Sequence, residues 1–280
     1  MILGNSLKLT TSELIPIRDL VAEVAGIHFD EKKFYFVEKR VLRRMTATSS
    51  KTAKDYFRLL KLGGDVDELS ELIAALTTNE TYFYRNIPQL ESFAEEALPL
   101  ILEEKRQRRD FQLRIWSAAC SSGEEPYTIS ILLKEHIPDY TKWRIEIIAT
   151  DIDHTMLDKA KTGIYEKRAV KDVQPSLLAK YFSNQGSKYQ VKPDVRRGIN
   201  FQRLNLMDRR AMRMQTRMDF VFCRNVLIYF DDEARKQVVS RIYDSLNKGG
   251  FIFLGHSESV GKISAVFKLV KFKKSLTYRK

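Results

Sequence analysis

The chain has 280 residues, of which 44% are hydrophobic and 30% are charged, and its formal net charge at pH 7 is +12. This length accommodates one large α/β domain and a smaller one, with enough apolar residues for real cores. No stretch approaches about 18 consecutive apolar residues, and Met1–Thr10 lacks the features of a signal peptide. We therefore expect a cytoplasmic protein without membrane insertion.

The positive charge is concentrated in two segments. Lys32–Lys61 contains ten cations and two acids, a net charge of +8, and Lys262–Lys280 contains seven cations and no acid, a net charge of +7. The rest of the chain is close to neutral. The sequence thus predicts two basic surfaces beside a nearly neutral body.

Residues 1–88 carry helical patterns without a convincing strand, which predicts a small helical domain that ends near Asn79. In Glu31–Met45, apolar residues recur at helical spacing beside a row of cations, so we expect a core-packed helix with a basic outer face. Two more helices are predicted at Thr52–Leu62 and Val66–Leu76. Two glycines, Gly63 and Gly64, separate them.

After a linking helix from Pro88 to Arg108, strand and helix patterns alternate. The predicted strands are Leu113–Ala119, Ile145–Thr150, Ile199–Leu206, Phe220–Arg224 and Phe251–Gly255, and the predicted helices are Pro126–His136, Thr155–Lys161 and Asp232–Leu246, the last closed by Gly249 and Gly250. Short buried strands separated by helices predict a parallel sheet. The basic tail alternates like a closing hairpin or edge strand.

The alternation stops between Gly163 and Asn200, which predicts a small antiparallel insertion at about residues 164–200. The predicted organisation is a helical domain at residues 1–88, followed by an α/β domain at residues 89–280 that contains this insertion. Cys120 and Cys223 lie at strand ends without a CxxC motif or a histidine-rich neighbourhood. We expect them to be reduced packing residues, with neither disulfide nor metal.

The turn after the first predicted strand reads CSSGEEPY and carries the first candidate site residues. Gly123 would allow a close backbone approach, and Ser121 or Ser122 could cap the following helix. Glu124 and Glu125 would repel a pyrophosphate, so they favour a ligand with a cationic amine or sulfonium. The alternative is that both acids only complement the helix dipole.

Asp151 ends the second predicted strand, and an acid at that place typically accepts the hydroxyls of a ribose. The ligand expected from this position is an adenosine. A dinucleotide is disfavoured because the GxGxxG fingerprint is missing. Asp153 is better explained as a helix cap before His154.

The segment FCRNVLIYF begins as a buried strand and continues past its end with Arg224, Asn225 and Tyr229. Polar residues immediately after a buried strand are usually site residues or turn formers. Asn205, at the end of the preceding strand pattern, follows the same reasoning. The alternative for Tyr229 is a core aromatic whose hydroxyl is satisfied.

Five segments together resemble the chemotaxis receptor methyltransferases of the CheR family. They are TTNETYFYR, WSAACSSGEEPY, ATDID, FCRNVLIYF and LGHSES, and GIHFDEKKFYFVEKRVLRRM resembles the family's basic N-terminal helix. This family transfers the methyl group of S-adenosylmethionine to glutamate side chains of chemoreceptors. The resemblance implies a Rossmann-like class I methyltransferase sheet, S-adenosylhomocysteine as the product, and no metal.

The resemblance also implies site residues. Those implied to contact the cofactor are Asn79, Thr81, Arg85, Glu125, Asp151, Asn205, Leu206, Arg224 and Asn225. Arg85 and Tyr229 are implied to handle the substrate carboxylate near the methyl group.

The partner expected is the acidic helical region of a chemoreceptor. Its predicted docking surface is the basic helix face formed by Lys33, Arg40, Arg43 and Arg44, although such a face is sometimes only solvated. Some family members hold a receptor's C-terminal pentapeptide on the antiparallel insertion. Here the turn SNQGSK is short, so we expect that the protein needs no pentapeptide tether. Separately, the protein is expected to be a monomer.

Two other functions are compatible with parts of the sequence. A nucleic-acid methyltransferase on the same fold would explain the net charge of +12, but the region after the fourth strand lacks the Asn/Asp-Pro-Pro-aromatic pattern used to methylate base amines. No nucleic-acid partner is therefore expected. A non-catalytic adaptor that binds the cofactor would have lost pocket residues, and here they are all present.

Overall fold

The computed structural model describes residues 8–63, 68–258 and 266–280, which divide into two compact units. The first unit is the chain up to Thr78 together with Tyr229–Ala234, and the second is Asn79–Ile228 with Arg235–Lys280. No helix among these residues is long and apolar enough to cross a membrane.

The division after Thr78 lies beside the predicted end of the helical domain near Asn79, and ten residues before the domain boundary drawn at residue 88. The segment after it packs within the second unit. The Phe83 ring meets the rings of Tyr165 and Phe182 edge to face, at centroid distances of 4.8 and 5.0 Å. Its N–H also donates to the Ala169 carbonyl. This buried aromatic contact is what places the segment in the second unit.

The described residues of the first unit before Thr78 form four helices and one short 3₁₀ turn. They are α1 (Thr11–Ala25), the 3₁₀ turn Glu31–Lys33, α2 (Phe34–Ala47), α3 (Ala53–Leu62) and α4 (Glu68–Leu76). The apolar stripe of α2 is buried along its whole length, at Phe34, Val37, Val41 and Met45. The prediction of a core-packed helix is therefore confirmed. Gly64 and Val66, used to separate and start the predicted helices, lie outside the described residues.

The prediction that Arg44 lies on a free basic face is wrong. Its guanidinium is paired with Glu68 through two contacts of 2.9 and 2.5 Å, and the Glu68 side chain is only 4% exposed. Tyr56 donates to the same carboxylate at 2.8 Å. A helical wheel places Arg44 beside the apolar stripe, and α4 then covers that position. Arg44 is therefore a structural residue of the helical unit.

Arg40 is also less free than predicted. Its Nε donates to the Ala75 carbonyl at 2.8 Å, and its guanidinium lies over the Phe36 ring. Lys33 and Arg43 are exposed, as is Lys39 one turn before Arg43. The exposed basic face of α2 therefore consists of Lys39 and Arg43, and Lys33 is an exposed cation in the turn that precedes the helix.

The second unit is built on a seven-stranded sheet in the order β6-β2-β1-β7-β8-β10-β9. The strands are β1 (Gln112–Ala118), β2 (Arg144–Asp151), β6 (Ile199–Arg203), β7 (Met218–Cys223), β8 (Leu246–Leu254), β9 (Lys268–Lys271) and β10 (Leu276–Arg279). The first five in this order are parallel, and β10 pairs antiparallel with β8 and β9. The predicted parallel sheet and closing hairpin are confirmed.

Helices surround this sheet. They are α5 (Ile87–Ser92), α6 (Leu98–Gln107), α7 (Glu124–His136), α8 (His154–Thr162), α11 (Arg209–Met214) and α12 (Asp232–Ser245). The helix predicted from Pro88 to Arg108 contains a π-helical segment, Phe93–Ala97, between α5 and α6. Pro99 follows this segment and cannot donate a backbone hydrogen bond, which accounts for the altered pattern before it.

The prediction that Gly249 and Gly250 end the last helix is wrong. The helix ends at Ser245, and both glycines lie inside β8. A Cβ atom at Gly250 would lie 3.0 Å from the carbonyl oxygen of Asp219 on the neighbouring strand. The glycine is therefore explained by close strand packing, not by helix termination.

The predicted antiparallel insertion is confirmed as a three-stranded sheet in the order β3-β5-β4. Its elements are β3 (Ile164–Glu166), α9 (Pro175–Tyr181), β4 (Phe182–Gln185), β5 (Lys188–Val191) and α10 (Pro193–Arg196). Gln185 pairs with Lys188, so the loop between β4 and β5 has two residues. Gly186 begins this loop with a φ of 76°, a conformation that glycine adopts easily.

The core of the second unit holds the sheet against the π-helical segment. The Phe93 ring contacts the rings of Phe220, Phe222 and Phe253 edge to face, with centroids 5.0 to 5.7 Å apart. This packing fixes the ends of β7 and β8. From β1 the sheet extends to β2 on one side and to β7 on the other, which makes the carboxyl ends of β1 and β7 the topological switch point.

Part of the tail's charge is neutralised within the second unit. Lys274 pairs with Glu91 at 2.8 Å, and Arg279 pairs with Glu104 at 2.6 Å. Lys280 donates to two backbone carbonyls. The prediction of a free basic surface at the tail is therefore only partly right, and the charge argument for a nucleic-acid substrate is weakened.

Candidate active site

The turn between β1 and α7 has an unusual backbone. Ala119, Ser121 and Gly123 all have positive φ, at 60°, 48° and 93°. The N-cap of α7 is Gly123, so the predicted capping by Ser121 or Ser122 is wrong. A Cβ atom at Gly123 would lie 2.8 Å from the Cβ atom of Ala160 in α8. Gly123 therefore allows the turn to pack closely against α8.

Asp151, the last residue of β2, is held by this turn. Its carboxylate accepts the Ser121 N–H at 2.7 Å and the Asp153 N–H at 2.9 Å. The side chain is deeply buried, and this burial raises the pKa of Asp151 to about 6. Each carboxylate oxygen keeps further lone pairs, so the group can still accept hydroxyl hydrogens from a ligand.

Glu125 lies in the first turn of α7 and is held by two neighbours. The Ser117 hydroxyl donates to Oε1 at 2.7 Å, and Arg224 approaches Oε2 at 3.1 Å. Ser117 belongs to β1, and Arg224 follows β7. The ion pair thus joins the two strands at the switch point.

The Arg224 guanidinium is buried, with 4% of its side chain exposed. Besides Glu125, it binds the backbone carbonyl of Arg85 at 2.5 Å. Its Nε has no hydrogen-bond partner among the described residues. Arg224 therefore links the segment containing Arg85 to Glu125.

The segment Asn79–Arg85 is tied to the same edge of the sheet. The Asn79 amide donates to the Asp153 carboxylate at 2.9 Å. Arg85 donates to the Glu80 carbonyl at 2.6 Å and lies near the Tyr82 ring. Thr81 and Arg85 are both half-buried.

Asp153 caps α8 through the N–H groups of its first turn, so its predicted capping role is confirmed.

Asn205 and Leu206 follow β6, beside Asp151. The Leu204 N–H donates to the Asp151 carbonyl at 2.9 Å. The Asn205 side chain accepts the Met207 N–H at 2.9 Å, and Leu206 is buried. Both residues thus lie in a turn whose start is fixed to the end of β2.

Asn225 follows Arg224 with a left-handed backbone, at a φ of 59°. Its N–H donates to the Glu258 carboxylate at 2.8 Å. Tyr229 belongs to the first unit, where its half-buried hydroxyl lies 3.4 Å from the Thr78 carbonyl. The structure therefore brings the other predicted residues to one edge of the sheet and assigns Tyr229 to the other unit.

Cys120 and Cys223 are both free and buried. Burial raises the pKa of each thiol well above its usual range, which opposes a role as nucleophile. Both are packing residues, as predicted. Among residues 8–63, 68–258 and 266–280, no group of His, Cys, Asp and Glu side chains is arranged to hold a metal ion.

Sequence reasoning did not identify Ser117, Ser121 or Glu258 as site residues. Ser117 and Ser121 lie within the motif WSAACSSGEEPY. The contacts of Ser117 with Glu125 and of Ser121 with Asp151 depend on the backbone path of the turn. Glu258 is separated by more than 30 residues from Asn225. No local pattern would have identified its partner, although the motif LGHSES contains it.

The donor and acceptor groups at this edge fit S-adenosylmethionine. The Asp151 carboxylate has the acceptor capacity that vicinal hydroxyls require, and the Glu125 carboxylate has the charge that suits a cationic amine. The Ser121 hydroxyl is buried and has no partner among the described residues, so it remains available for a polar ligand group. No glycine-rich phosphate loop is present in the sequence, in agreement with a ligand that lacks a pyrophosphate.

Comparisons with known proteins identify both parts of the chain. Residues 12–77 match the model of the CheR methyltransferase all-alpha domain, and residues 79–276 match that of the CheR methyltransferase SAM-binding domain. A chemotaxis protein methyltransferase 2 of Vibrio cholerae is 44% identical over 99% of this chain and 95% of its own length. A chemotaxis protein methyltransferase of Borreliella burgdorferi is 34% identical over 91% of this chain and 90% of its own length.

A chemotaxis protein methyltransferase 1 of Pseudomonas aeruginosa is likewise 34% identical, over 94% of this chain and 95% of its own length. The similarity therefore spans the helical part, the sheet and the insertion. The chain belongs to the CheR family of S-adenosylmethionine-binding methyltransferases.

Proposed function

We propose that this protein methylates glutamate side-chain carboxylates of chemoreceptors during chemotactic adaptation. The observation that carries the proposal is the pair of acids Glu125 and Asp151, fixed by hydrogen bonds where β1 and β2 end, in a chain of this family. Three relatives that are 34 to 44% identical over nearly their full lengths are named chemotaxis protein methyltransferases.

The chemistry requires no general base from the protein. A glutamate with an ordinary pKa of about 4.3 is already ionised at neutral pH. When bound, S-adenosylmethionine supplies a methyl group on a positively charged sulfur. The substrate carboxylate oxygen forms a bond to the methyl carbon while the carbon–sulfur bond breaks, and S-adenosylhomocysteine leaves as a neutral thioether. Because opposite charges are neutralised in this step, a site that excludes water favours it. A cysteine, serine or histidine nucleophile of the protein is therefore not required.

Each site residue has a proposed role. Asp151 accepts the ribose hydroxyls, Glu125 binds the cationic amine, and the turns at Asn205 and Asn225 form further walls. Two hydrogen bonds hold these turns in place before the ligand arrives: the Met207 N–H donates to the Asn205 side chain, and the Asn225 N–H donates to the Glu258 carboxylate. Asn79 and Thr81 approach the cofactor from the segment that precedes α5.

The direct test is transfer of a tritiated methyl group from S-adenosylmethionine to membranes that contain chemoreceptors. We expect the label to enter the receptor and to leave it as methanol after mild base treatment, because a carboxyl methyl ester is base-labile. Label in tRNA or rRNA instead would favour the nucleic-acid alternative. Binding of the cofactor without any transfer would favour an adaptor.

Arg85 and Tyr229 are proposed to orient the substrate carboxylate. Arg85→Ala is expected to lower kcat by about tenfold or more, because a guanidinium that aligns the carboxylate acts on the transfer step. Tyr229→Phe is expected to lower kcat less, because only a hydroxyl is lost. Steady-state kinetics at saturating cofactor and receptor measure both effects. Normal kcat values in both variants would remove these residues from the catalytic assignment.

Receptor docking is proposed to involve the exposed basic face of α2. Lys39 and Arg43 lie one turn apart and have no ion pair with another described residue. The double variant Lys39→Glu and Arg43→Glu is expected to raise the KM for receptor about tenfold at low salt and less at high salt, because the attraction is screened. Affinity for S-adenosylhomocysteine should not change.

The matched control reverses two exposed cations on α3 that are also one turn apart, Lys54 and Arg58. This control changes the net charge equally within the same unit. Equal effects of the two double variants would indicate a nonspecific charge effect and would contradict docking through α2. Reversal of Arg44 is unsuitable for this test, because that residue is paired with buried Glu68.

The insertion is proposed to function without a pentapeptide tether. The loop between β4 and β5 has only two residues, with Gly186 its sole glycine, and offers few positions to close over a peptide. Calorimetric titration of the protein with an NWETF-type peptide is expected to show no binding at micromolar concentrations. Micromolar binding that depends on the insertion would contradict this proposal.

We further propose that the protein acts as a cytoplasmic monomer.

A further inference from the structure

Glu258 joins two loops that follow neighbouring strands. Its Oε2 accepts the N–H groups of Gly255 at 2.6 Å and Asn225 at 2.8 Å. Its Oε1 accepts the Ile228 N–H at 3.3 Å. Gly255 follows β8, while Asn225 and Ile228 follow β7. One carboxylate thus satisfies backbone donors from both loops.

These contacts fix a backbone with an uncommon conformation. Asn225 has a φ of 59°, a left-handed conformation that asparagine adopts more readily than most residues other than glycine. A Cβ atom at Gly255 would lie 2.6 Å from Glu258 Oε2 and 2.8 Å from the Asn225 nitrogen. The loops therefore meet closely around this carboxylate.

The ends of the strands are themselves rigid. Cys223 pairs with Leu254 in the register of β7 and β8. The Gln89 amide donates to the Leu254 carbonyl at 2.7 Å. Beyond these residues the strand pairing stops, and Glu258 provides the next link between the two strands. A purely local turn former would bind only Gly255, three residues before it in sequence.

We propose that Glu258 is a positioning residue for the cofactor, acting through the backbone of Asn225. This inference rests on the proposed function, in which Asn225 forms a wall of the cofactor site. Glu258 itself does not touch the cofactor in this arrangement. It holds the loop after β7 in the conformation in which Asn225 can do so.

The hydrogen-bond pattern predicts an uncommon ranking of substitutions. Both short bonds go to one oxygen, so the amide oxygen of Glu258→Gln can accept both N–H groups without a charge. Only the longer bond from the Ile228 N–H is lost, because an amide nitrogen cannot accept it. Glu258→Asp keeps the charge, but its shorter side chain cannot reach both loops. Glu258→Ala removes every acceptor. The affinity of these variants for S-adenosylhomocysteine should therefore depend on the length of the side chain at position 258 and not on its charge.

The experiment is calorimetric titration of the full-length protein with S-adenosylhomocysteine, accompanied by thermal unfolding. Glu258→Gln is expected to bind within about threefold of wild type, and Glu258→Ala and Glu258→Asp to bind at least tenfold more weakly. Asp172→Ala, at an exposed position of the same unit, is the matched control and should bind normally. The KM for S-adenosylmethionine should rise more than kcat falls.

The possible outcomes separate this inference from the proposed function. If wild type binds and Glu258→Asp and Glu258→Ala bind equally well, the positioning role is overturned and the proposed function stands. If Glu258→Gln binds S-adenosylhomocysteine weakly and Glu258→Asp binds it normally, affinity depends on the charge of the side chain. That result also overturns the positioning role. If Glu258→Ala does not fold, the ranking of the other two variants decides. Failure of wild type to bind would overturn both proposals.

Discussion

Asp151→Asn is expected to weaken binding of S-adenosylhomocysteine by about five- to 150-fold, the equivalent of about 1–3 kcal/mol. The carboxylate has two oxygens, each already bound to a backbone N–H. The amide has only one oxygen to share between these donors and the ribose. Calorimetry measures the effect, with Asp172→Asn as an exposed control in the same unit.

The same variant should remove a pH dependence. Burial raises the pKa of Asp151 to about 6, so the wild-type carboxylate becomes protonated as the pH falls below that value. A protonated group is a poorer acceptor for hydroxyls, and affinity should fall about tenfold between pH 8 and pH 5. Asp151→Asn has no such titration. A wild-type affinity that is constant over this range would contradict the ribose assignment.

Loss of binding should not reflect unfolding. Because the folded-state pKa of Asp151 is raised above its unfolded value, this group stabilises the fold most below about pH 4, and that contribution is lost as the pH rises towards 6. At neutral pH the buried charge therefore costs stability, and its removal offsets the loss of one backbone hydrogen bond. We expect a small change in the thermal unfolding temperature of Asp151→Asn.

The sequence predicts the sheet well because its signals are local. Each buried strand is followed by a polar turn, so the carboxyl ends of β1, β2 and β7 can be located from the residue pattern alone. The register of five parallel strands then brings Glu125 and Arg224 together. Family resemblance adds the identity of the ligand, which spacing alone does not determine.

The incorrect predictions concern contacts between segments distant in sequence. Arg44 lies beside the apolar stripe of α2, and only the position of α4 decides that it pairs with Glu68. Gly250 has the pattern of a helix end, but the adjacent strand explains it. The contact between Glu258 and Asn225 is equally nonlocal. Periodicity describes one element at a time and contains no information about such neighbours.

Arg224→Met is expected to destabilise the protein by about 3 kcal/mol, because it leaves the Glu125 carboxylate without its ionic partner. The Glu125 side chain is 13% exposed, and Arg224 is 4% exposed. The Arg85 carbonyl would also lose a donor. Thermal or urea unfolding of the full-length protein measures this loss.

The control and the double variant separate stability from binding. Lys188→Met breaks an exposed ion pair with Glu166 in the same unit and should change stability by less than about 1 kcal/mol. Adding Glu125→Gln to Arg224→Met removes the uncompensated charge and should restore part of the stability. Cofactor affinity should stay low, because the acid proposed to bind the cationic amine is then absent. If Arg224→Met is as stable as wild type, the ion pair does not hold the switch point together.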